Sequence, residues 1–293
     1  MDDKLVSASD GRLALRIKPH TIRKLQVIEY YLTEFATAMK PKPPSRATGF
    51  RGFAERNYID LFAGPGRCRV SGSSIPSGLE VDGSPLIALK VKHPLSSYYF
   101  IDIDQRAIDA LAQRVAGVVG AKEAEKRFFI GDCNEKITEV LRHIDAKNSI
   151  NIALIDSFTI ACKWSTVKAL ARCKRMDLII NFPMGMSISR NLHNWVENKS
   201  SALDEFFGNR GWREIYEQTH GITKRCIRGF LNLYEQGLAE LGYRVGDVRE
   251  IPIRNQKGVN LYYLVFASRN DLGDKFWKNA ARVADELQLR MFD

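Results

Sequence analysis

Only five cysteines occur in the chain, Cys68, Cys133, Cys162, Cys173 and Cys226, an odd number, widely spaced and without a Cys-x-x-Cys pair. That pattern excludes a disulfide framework or zinc ribbon as an organising device and fits a reducing cytoplasm. None of the five histidines stands at metal-ligand spacing from a cysteine or an acid, so no metal site is expected. Neither Gly-x-Ser-x-Gly nor a phosphate-binding Gly-Lys-Ser/Thr occurs, which leaves hydrolase and NTPase chemistry without a carrier. No apolar run approaches the roughly 18 residues of a membrane helix. The start, Met1-Asp2-Asp3-Lys4-Leu5, lacks the basic stretch and apolar core of a signal peptide. A soluble, cytoplasmic protein is expected.

What the chain does have is positive charge. Its 44 basic and 34 acidic residues leave a formal charge of +10, which favours a polyanionic partner, RNA or DNA, over a small acidic metabolite. With 293 residues, 45% of them hydrophobic, it can form one elaborated α/β domain.

The most informative stretch is Asn57-Tyr58-Ile59-Asp60-Leu61-Phe62-Ala63-Gly64-Pro65-Gly66. An apolar strand ends in an acid and passes into a turn bracketed by glycines, which let the backbone run beneath a ligand without a side-chain clash. It resembles the first S-adenosylmethionine (SAM) motif of class I methyltransferases. The expectation is that Asp60 offers its carboxylate to the positive end of such a ligand, with Phe62, Ala63, Gly64 and Gly66 beside it. A dinucleotide-dependent oxidoreductase is disfavoured, because Gly64-Pro65-Gly66 lacks the third glycine that brings helix close to strand.

Periodicity organises the rest. Residues 1–56 read as a helix from Thr21 to about Met39 followed by a basic loop, Lys40-Pro41-Lys42-Pro43-Pro44-Ser45. A polar loop follows from Arg67 to Gly83, and Ser84-Pro85 opens a helix. Strands are predicted at Tyr98 to Asp102, Arg127 to Ile130, Ile150 to Asp156 and Asp177 to Phe182, alternating with amphipathic helices. Residues 184–236 read as a helical insertion. Tyr243 to Ile253 and Leu261 to Ser268 are joined too closely for a crossover helix and must pair antiparallel. The expected fold is a Rossmann-like, seven-stranded, mostly parallel sheet ending in an antiparallel hairpin.

In such a sheet ligands lie beyond the carboxyl ends of the strands, where Asp60, Asp102, Asp132 and Asp156 all fall. Asp102, with Ile103 after it, is assigned to the ribose hydroxyls by analogy with dinucleotide folds, and Asp104 to capping the next helix. Asp132 is placed either to accept from an adenine amino group, with the Cys133 N–H at a ring nitrogen, or to cap its own helix. Asp156-Ser157-Phe158-Thr159 occupies the position where amino-directed methyltransferases have Asp or Asn, two prolines and an aromatic. There Asp156 would accept from a target amino group, Phe158 would stack on the base and Ser157 would line the substrate pocket. Both prolines are missing, which leaves either methyl transfer to a base amino group, most plausibly adenine N6, or a site that only binds its ligand. Asn181 and Pro183 are expected in a second wall of that pocket, with Arg190 as a phosphate or carboxylate contact.

Taken with Gly83-Ser84-Pro85-Leu86-Ile87-Ala88-Leu89, Phe182-Pro183-Met184-Gly185 and Tyr262-Tyr263-Leu264-Val265-Phe266-Ala267-Ser268, these motifs resemble the three-Cys-motif partner protein family, itself similar to class I methyltransferases. The resemblance implies SAM as cofactor and a radical-SAM-like three-cysteine protein as partner. The family usually has Asp-Pro, an aromatic and Gly where this chain has Asp156-Ser157-Phe158-Thr159. That departure keeps open a catalytically silent subunit that binds SAM or nucleic acid for its partner.

Overall fold

The computed structural model describes residues 4–41, 52–72, 76–183, 188–197, 201–220, 223–244, 250–255 and 258–290. In chain order the elements are β1 (Leu5–Ser7), β2 (Leu13–Ile17), α1 (His20–Ala38), β3 (Arg56–Asp60), β4 (Arg67–Val70), β5 (Glu80–Asp82), α2 (Ser84–Leu89), β6 (Ser97–Asp102), α3 (Gln105–Val115), β7 (Glu125–Ile130) and α4 (Cys133–Leu141). They continue with β8 (Ile150–Ile155), α5 (Trp164–Leu170), β9 (Met176–Phe182), α6 (Ser189–Glu197), α7 (Ala202–Phe207), α8 (Gly211–Gln218), α9 (Thr223–Glu240), β10 (Glu250–Arg254), β11 (Asn260–Ala267) and α10 (Asp271–Arg290).

Seven strands form the main sheet in the order β10-β11-β9-β8-β3-β6-β7. β7, β6, β3, β8 and β9 run parallel, with Tyr58 of β3 level with Tyr98 on one side and Ile152 on the other. β11 is antiparallel to both β9 and β10, as the short connection between the last two strands required. This is the Rossmann-like, mostly parallel sheet with an antiparallel finish that the sequence predicts. The strand order reverses at β3, so the crevice at its carboxyl end is where such a sheet holds a ligand.

Successive residues of a strand face opposite sides, and the core divides accordingly. Tyr58, Tyr98 and Phe100 pack towards α1, α2 and α10, whereas Ile59, Tyr99 and Ile101 pack towards α4, α5 and the helices after β9. Acids just past two of the strands cap the next helices. Asp104 accepts the Arg106 N–H at 2.9 Å to start α3, and Asp132 accepts the Asn134 N–H at 2.8 Å to start α4.

Three regions differ from the sequence expectation. The N-terminal segment, read as a helix and a loop, also holds β1 and β2, and the supposed polar loop from Arg67 to Gly83 holds β4 and β5. Together these make a second, four-stranded sheet, β1-β2-β4-β5, in which β2 and β4 run parallel. Strands of three to five residues carry almost no period of their own, and this pairing joins segments some fifty residues apart. The third addition is α10, which lays Trp277 flat on Phe266 at 5.0 Å and edge-on to Tyr31 of α1. The insertion is helical as expected, and its last helix runs on to Glu240. The connecting loop at 42–51 and the motif residues Met184 and Gly185 lie outside the described residues.

Arg114 ties the small sheet to the large one. Its guanidinium is almost fully buried, grips both oxygens of Asp10 at 2.8 Å and donates to the carbonyls of Leu13 and Pro65 at 2.6 Å. The hydrogen bonds from Arg114 hold the Asp10 carboxyl down at about 2. One cation thereby fixes the N-terminal hairpin against the glycine turn.

Candidate active site

A cavity of about 420 Å³ opens at the carboxyl ends of β3, β6, β7 and β8. That size is in the range of sites that hold small ligands. Its floor is the turn from Leu61 to Gly66. Gly64 and Gly66 have φ of +59° and +77°, a region that favours glycine. A Cβ on Gly66 would come within 2.6 Å of Leu111, whereas one on Gly64 would meet nothing within 4 Å, because that position faces open cavity. Phe62 and Ala63 line the same floor.

Asp102 stands at the edge of the turn. Its Oδ2 accepts the Gly64 N–H at 2.8 Å and its Oδ1 accepts the Asp104 N–H at 2.9 Å, so the carboxylate holds the turn and still lines the cavity. Burial raises its pKa, against the lowering effect of these two hydrogen bonds. Ile103 beside it is 59% exposed, an apolar side chain held out over the cavity. Asp132 is the N-cap of α4, with Oδ1 serving the cap, and it lines the cavity together with Cys133 just inside the helix.

Asp60 is different. It is fully buried and does not line the cavity, so the expected direct contact with a cationic ligand is not formed. The Tyr58 hydroxyl donates to it at 2.9 Å, with the Phe62 N–H at 3.3 Å. It belongs to the scaffold under the turn. Burial pushes its pKa from 3.8 to about 7, opposed by hydrogen bonds from Ser84 and Tyr58. A carboxyl whose folded pKa lies above its unfolded value stabilises most below pH 3.8, and that contribution falls away as pH rises to about 7. The difference amounts to about 4 kcal/mol. Asp60→Asn should therefore match the wild type at pH 4 and exceed it in thermal stability at pH 8; a gap independent of pH would show that Asp60 stays ionised when folded.

The opposite wall carries Asp156, Ser157, Phe158 and Thr159. Phe158 is 40% exposed, and the Thr159 N–H closes a local turn on Ser157 Oγ at 3.2 Å. Asp156 has a partner that sequence reasoning missed. Lys24 of α1, only 1% exposed, places its ammonium 2.7 and 2.5 Å from the two Asp156 oxygens and 5.0 Å from the Phe158 ring centre. Burial, the largest single influence, acts to strip the Lys24 proton, but the Asp156 charge, Tyr262 and the hydrogen bonds to Asp156 together outweigh it and the pKa is raised. Lys4 lies over the same ring at 5.0 Å. The signal for Lys24 was there, a charged residue on the buried stripe Thr21, Lys24, Ile28, Tyr31 and Phe35 of α1. A long amphipathic helix conceals it, since lysine usually only lays its stem on an apolar face.

Asn181 donates to Asp156 Oδ1 at 3.0 Å and is buried behind it, so it supports the carboxylate and does not line the cavity. Pro183 is likewise buried away from the cavity. These two correct the expected substrate wall: they lie at the end of β9, buried and outside the cavity lining. The Arg190 side chain lies outside the described residues. In their place the small sheet provides a wall, with Leu5, Leu15 and Ile17 facing the cavity beside Lys4. Among the described residues no group of three or more His, Cys, Asp or Glu side chains could hold a metal ion, and no helix is long and apolar enough to cross a membrane.

No protein-family model matches the chain, and no curated protein sequence matches it. Among solved structures it is similar to LPL1258 from Legionella pneumophila, with 9% identity over 86% of this chain and 89% of that one and a TM-score of 0.48. It is also similar to the methyltransferase domain of bacterial CtHen1, with 12% identity over 85% and 100% and a TM-score of 0.43. A third is magnesium protoporphyrin IX methyltransferase from Synechocystis with S-adenosylhomocysteine bound, with 10% identity over 84% of each chain and a TM-score of 0.41. Likeness this distant leaves function to be read from the site itself.

Proposed function

We propose that this chain is a SAM-dependent methyltransferase acting on nucleic acid. The observation that carries the reading is that one cavity joins the Gly64–Gly66 turn, Asp102, Asp132 and the Asp156 to Phe158 segment at the carboxyl edge of a single sheet. The residues fit the cofactor. Gly64 leaves the space that a side chain would fill, and Asp102 is pinned with lone pairs left for two ribose hydroxyls. Ile103, Asp132 and Cys133 line one side of the cavity; there Ile103 would offer an apolar face to an adenine ring, and Asp132 Oδ2 and the Cys133 N–H would serve its polar edge. Bound there, the cofactor supplies a methyl group already activated on a sulfonium.

The chain's own task is then alignment more than acid-base work. The apolar wall of Leu5, Leu15 and Ile17 excludes water, and Phe158 gives an incoming base a ring to stack on. The formal charge of +10 supports a polyanionic substrate. A three-cysteine protein that acts with the chain belongs to this reading, which leaves the acceptor group on the nucleic acid open between the base amino group expected from the sequence and another nucleophile.

A silent binding subunit is the second reading. It is favoured by the engagement of Asp156 with Lys24 and Asn181, which leaves little of that carboxylate open to a substrate. Incubation with methyl-labelled SAM and total cellular RNA or genomic DNA, with and without the three-cysteine protein, separates the two. Label entering nucleic acid is the expected result; SAM binding without transfer under any condition would establish the silent subunit.

A further inference from the structure

We infer that the acceptor is a hydroxyl group, the ribose 2′-hydroxyl of RNA, and that Lys24 is a catalytic residue for it. The inference rests on the methyltransferase reading above and starts from the donor and acceptor pattern at the transfer end of the cavity. An ionised carboxylate has about four lone-pair sites. On Asp156, Oδ1 already accepts from Lys24 and Asn181 and Oδ2 from Lys24, which leaves one acceptor site, on Oδ2. An ammonium has three N–H donors. Both Lys24 hydrogen bonds go to Asp156, its Nζ has no further hydrogen-bond acceptor among the described residues beyond the faces of Phe158 at 5.0 Å and Tyr262 at 5.8 Å, and the side chain lines the cavity. The site therefore presents one acceptor and one cationic donor side by side.

A hydroxyl matches that pair, because its O–H donates to Asp156 Oδ2 while an oxygen lone pair accepts from Lys24. A base amino group does not. It brings two N–H donors and a lone pair delocalised into the ring, so it leaves the Lys24 N–H unpaired and adds positive charge beside an ammonium as it is methylated. An oxygen that gains negative charge as its proton leaves is stabilised by the same ammonium in a water-poor site. Among nucleic acids only RNA carries a hydroxyl on every sugar, and that group is both donor and acceptor.

The step balances with SAM as the methyl source. The hydroxyl oxygen forms a bond to the methyl carbon, the carbon–sulfur bond breaks with its electron pair left on sulfur, and the hydroxyl proton passes to Oδ2 of Asp156. Lys24 keeps its proton throughout.

Two measurements test this. The first is product analysis. RNA labelled by the wild-type protein should yield alkali-resistant dinucleotides, because a methylated 2′-oxygen cannot attack the neighbouring phosphate, and DNA should stay unlabelled. Label on a base nitrogen overturns the hydroxyl assignment and leaves the methyltransferase reading standing. No label in RNA or DNA overturns both. The second measurement is binding without cofactor. Random-sequence RNA pools should bind about tenfold tighter than DNA pools of the same length, the effect of one or two extra hydrogen bonds. Lys24→Met should erase that difference while SAM affinity, measured by calorimetry on the same sample, confirms that the variant is folded. An RNA preference unchanged in Lys24→Met overturns the role of Lys24.

Discussion

Replacing Asp156 by alanine is expected to lower the free energy of unfolding by about 3–5 kcal/mol, a large share of what holds a domain together. The loss comes from Lys24. Its side chain is 1% exposed, its two hydrogen bonds both go to Asp156, and without the carboxylate a cation is left unpaired in the interior. Breaking a buried pair from one side costs more than the pair contributes, because the remaining charge keeps its full desolvation penalty. Adding Lys24→Met to Asp156→Ala should therefore restore most of the stability, and chemical denaturation of the wild type, the single variant and the double variant measures the coupling directly. Equal stability of single and double variants would mean that Lys24 is satisfied without Asp156. Both variants should lose methyl transfer, so the double variant separates the chemical role of the pair from its structural cost.

Asp102→Ala is expected to weaken SAM and S-adenosylhomocysteine binding by at least a hundredfold in calorimetry. Hydrogen bonds to a charged group contribute about 1.5–3 kcal/mol each, and under the proposed function two ribose hydroxyls would share this carboxylate. The substitution also frees the Gly64 and Asp104 N–H groups that Asp102 holds at 2.8 and 2.9 Å, so the turn beneath the ligand loses its anchor. Asp102→Asn retains one carbonyl acceptor and should fall between the two. NAD should bind neither protein measurably. Undiminished SAM affinity in Asp102→Ala would remove the ribose assignment and move the cofactor to another part of the cavity.

The contrast between Asp60 and Asp102 shows what strand-end position by itself conveys. Both acids end parallel strands at the same edge, and residue type and position give both the same expected direction, towards the ligand. Asp102 is the last residue of β6, and its carboxylate turns onto the glycine loop. Asp60 lies one strand over, where Ser84 and Tyr58 close around it beneath the loop. Asp60 is level with Phe100, two residues short of Asp102 on the same face, so depth along the strand and what packs above it decide which carboxylate reaches the cavity, and neither is visible in a run of residue types. Asn181 and Pro183 make the same point at the end of β9, since both sit at the right edge yet are buried outside the cavity lining.

The sequence by itself determined the parallel sheet, its antiparallel finish, the glycine turn and the row of strand-end acids. Each arises from local chemistry: continuous apolar runs that form strands buried on both faces, helices opened by Ser84-Pro85 or capped by Asp104 and Asp132, and glycines where φ is positive. Only the tertiary structure decided what closes the site. The small sheet pairs segments far apart in the chain, and Lys24 reaches Asp156 across 132 positions. Short strands carry no periodic signal, and a lysine on the apolar stripe of a helix does not name its partner, because their energy comes from residues brought in by the fold.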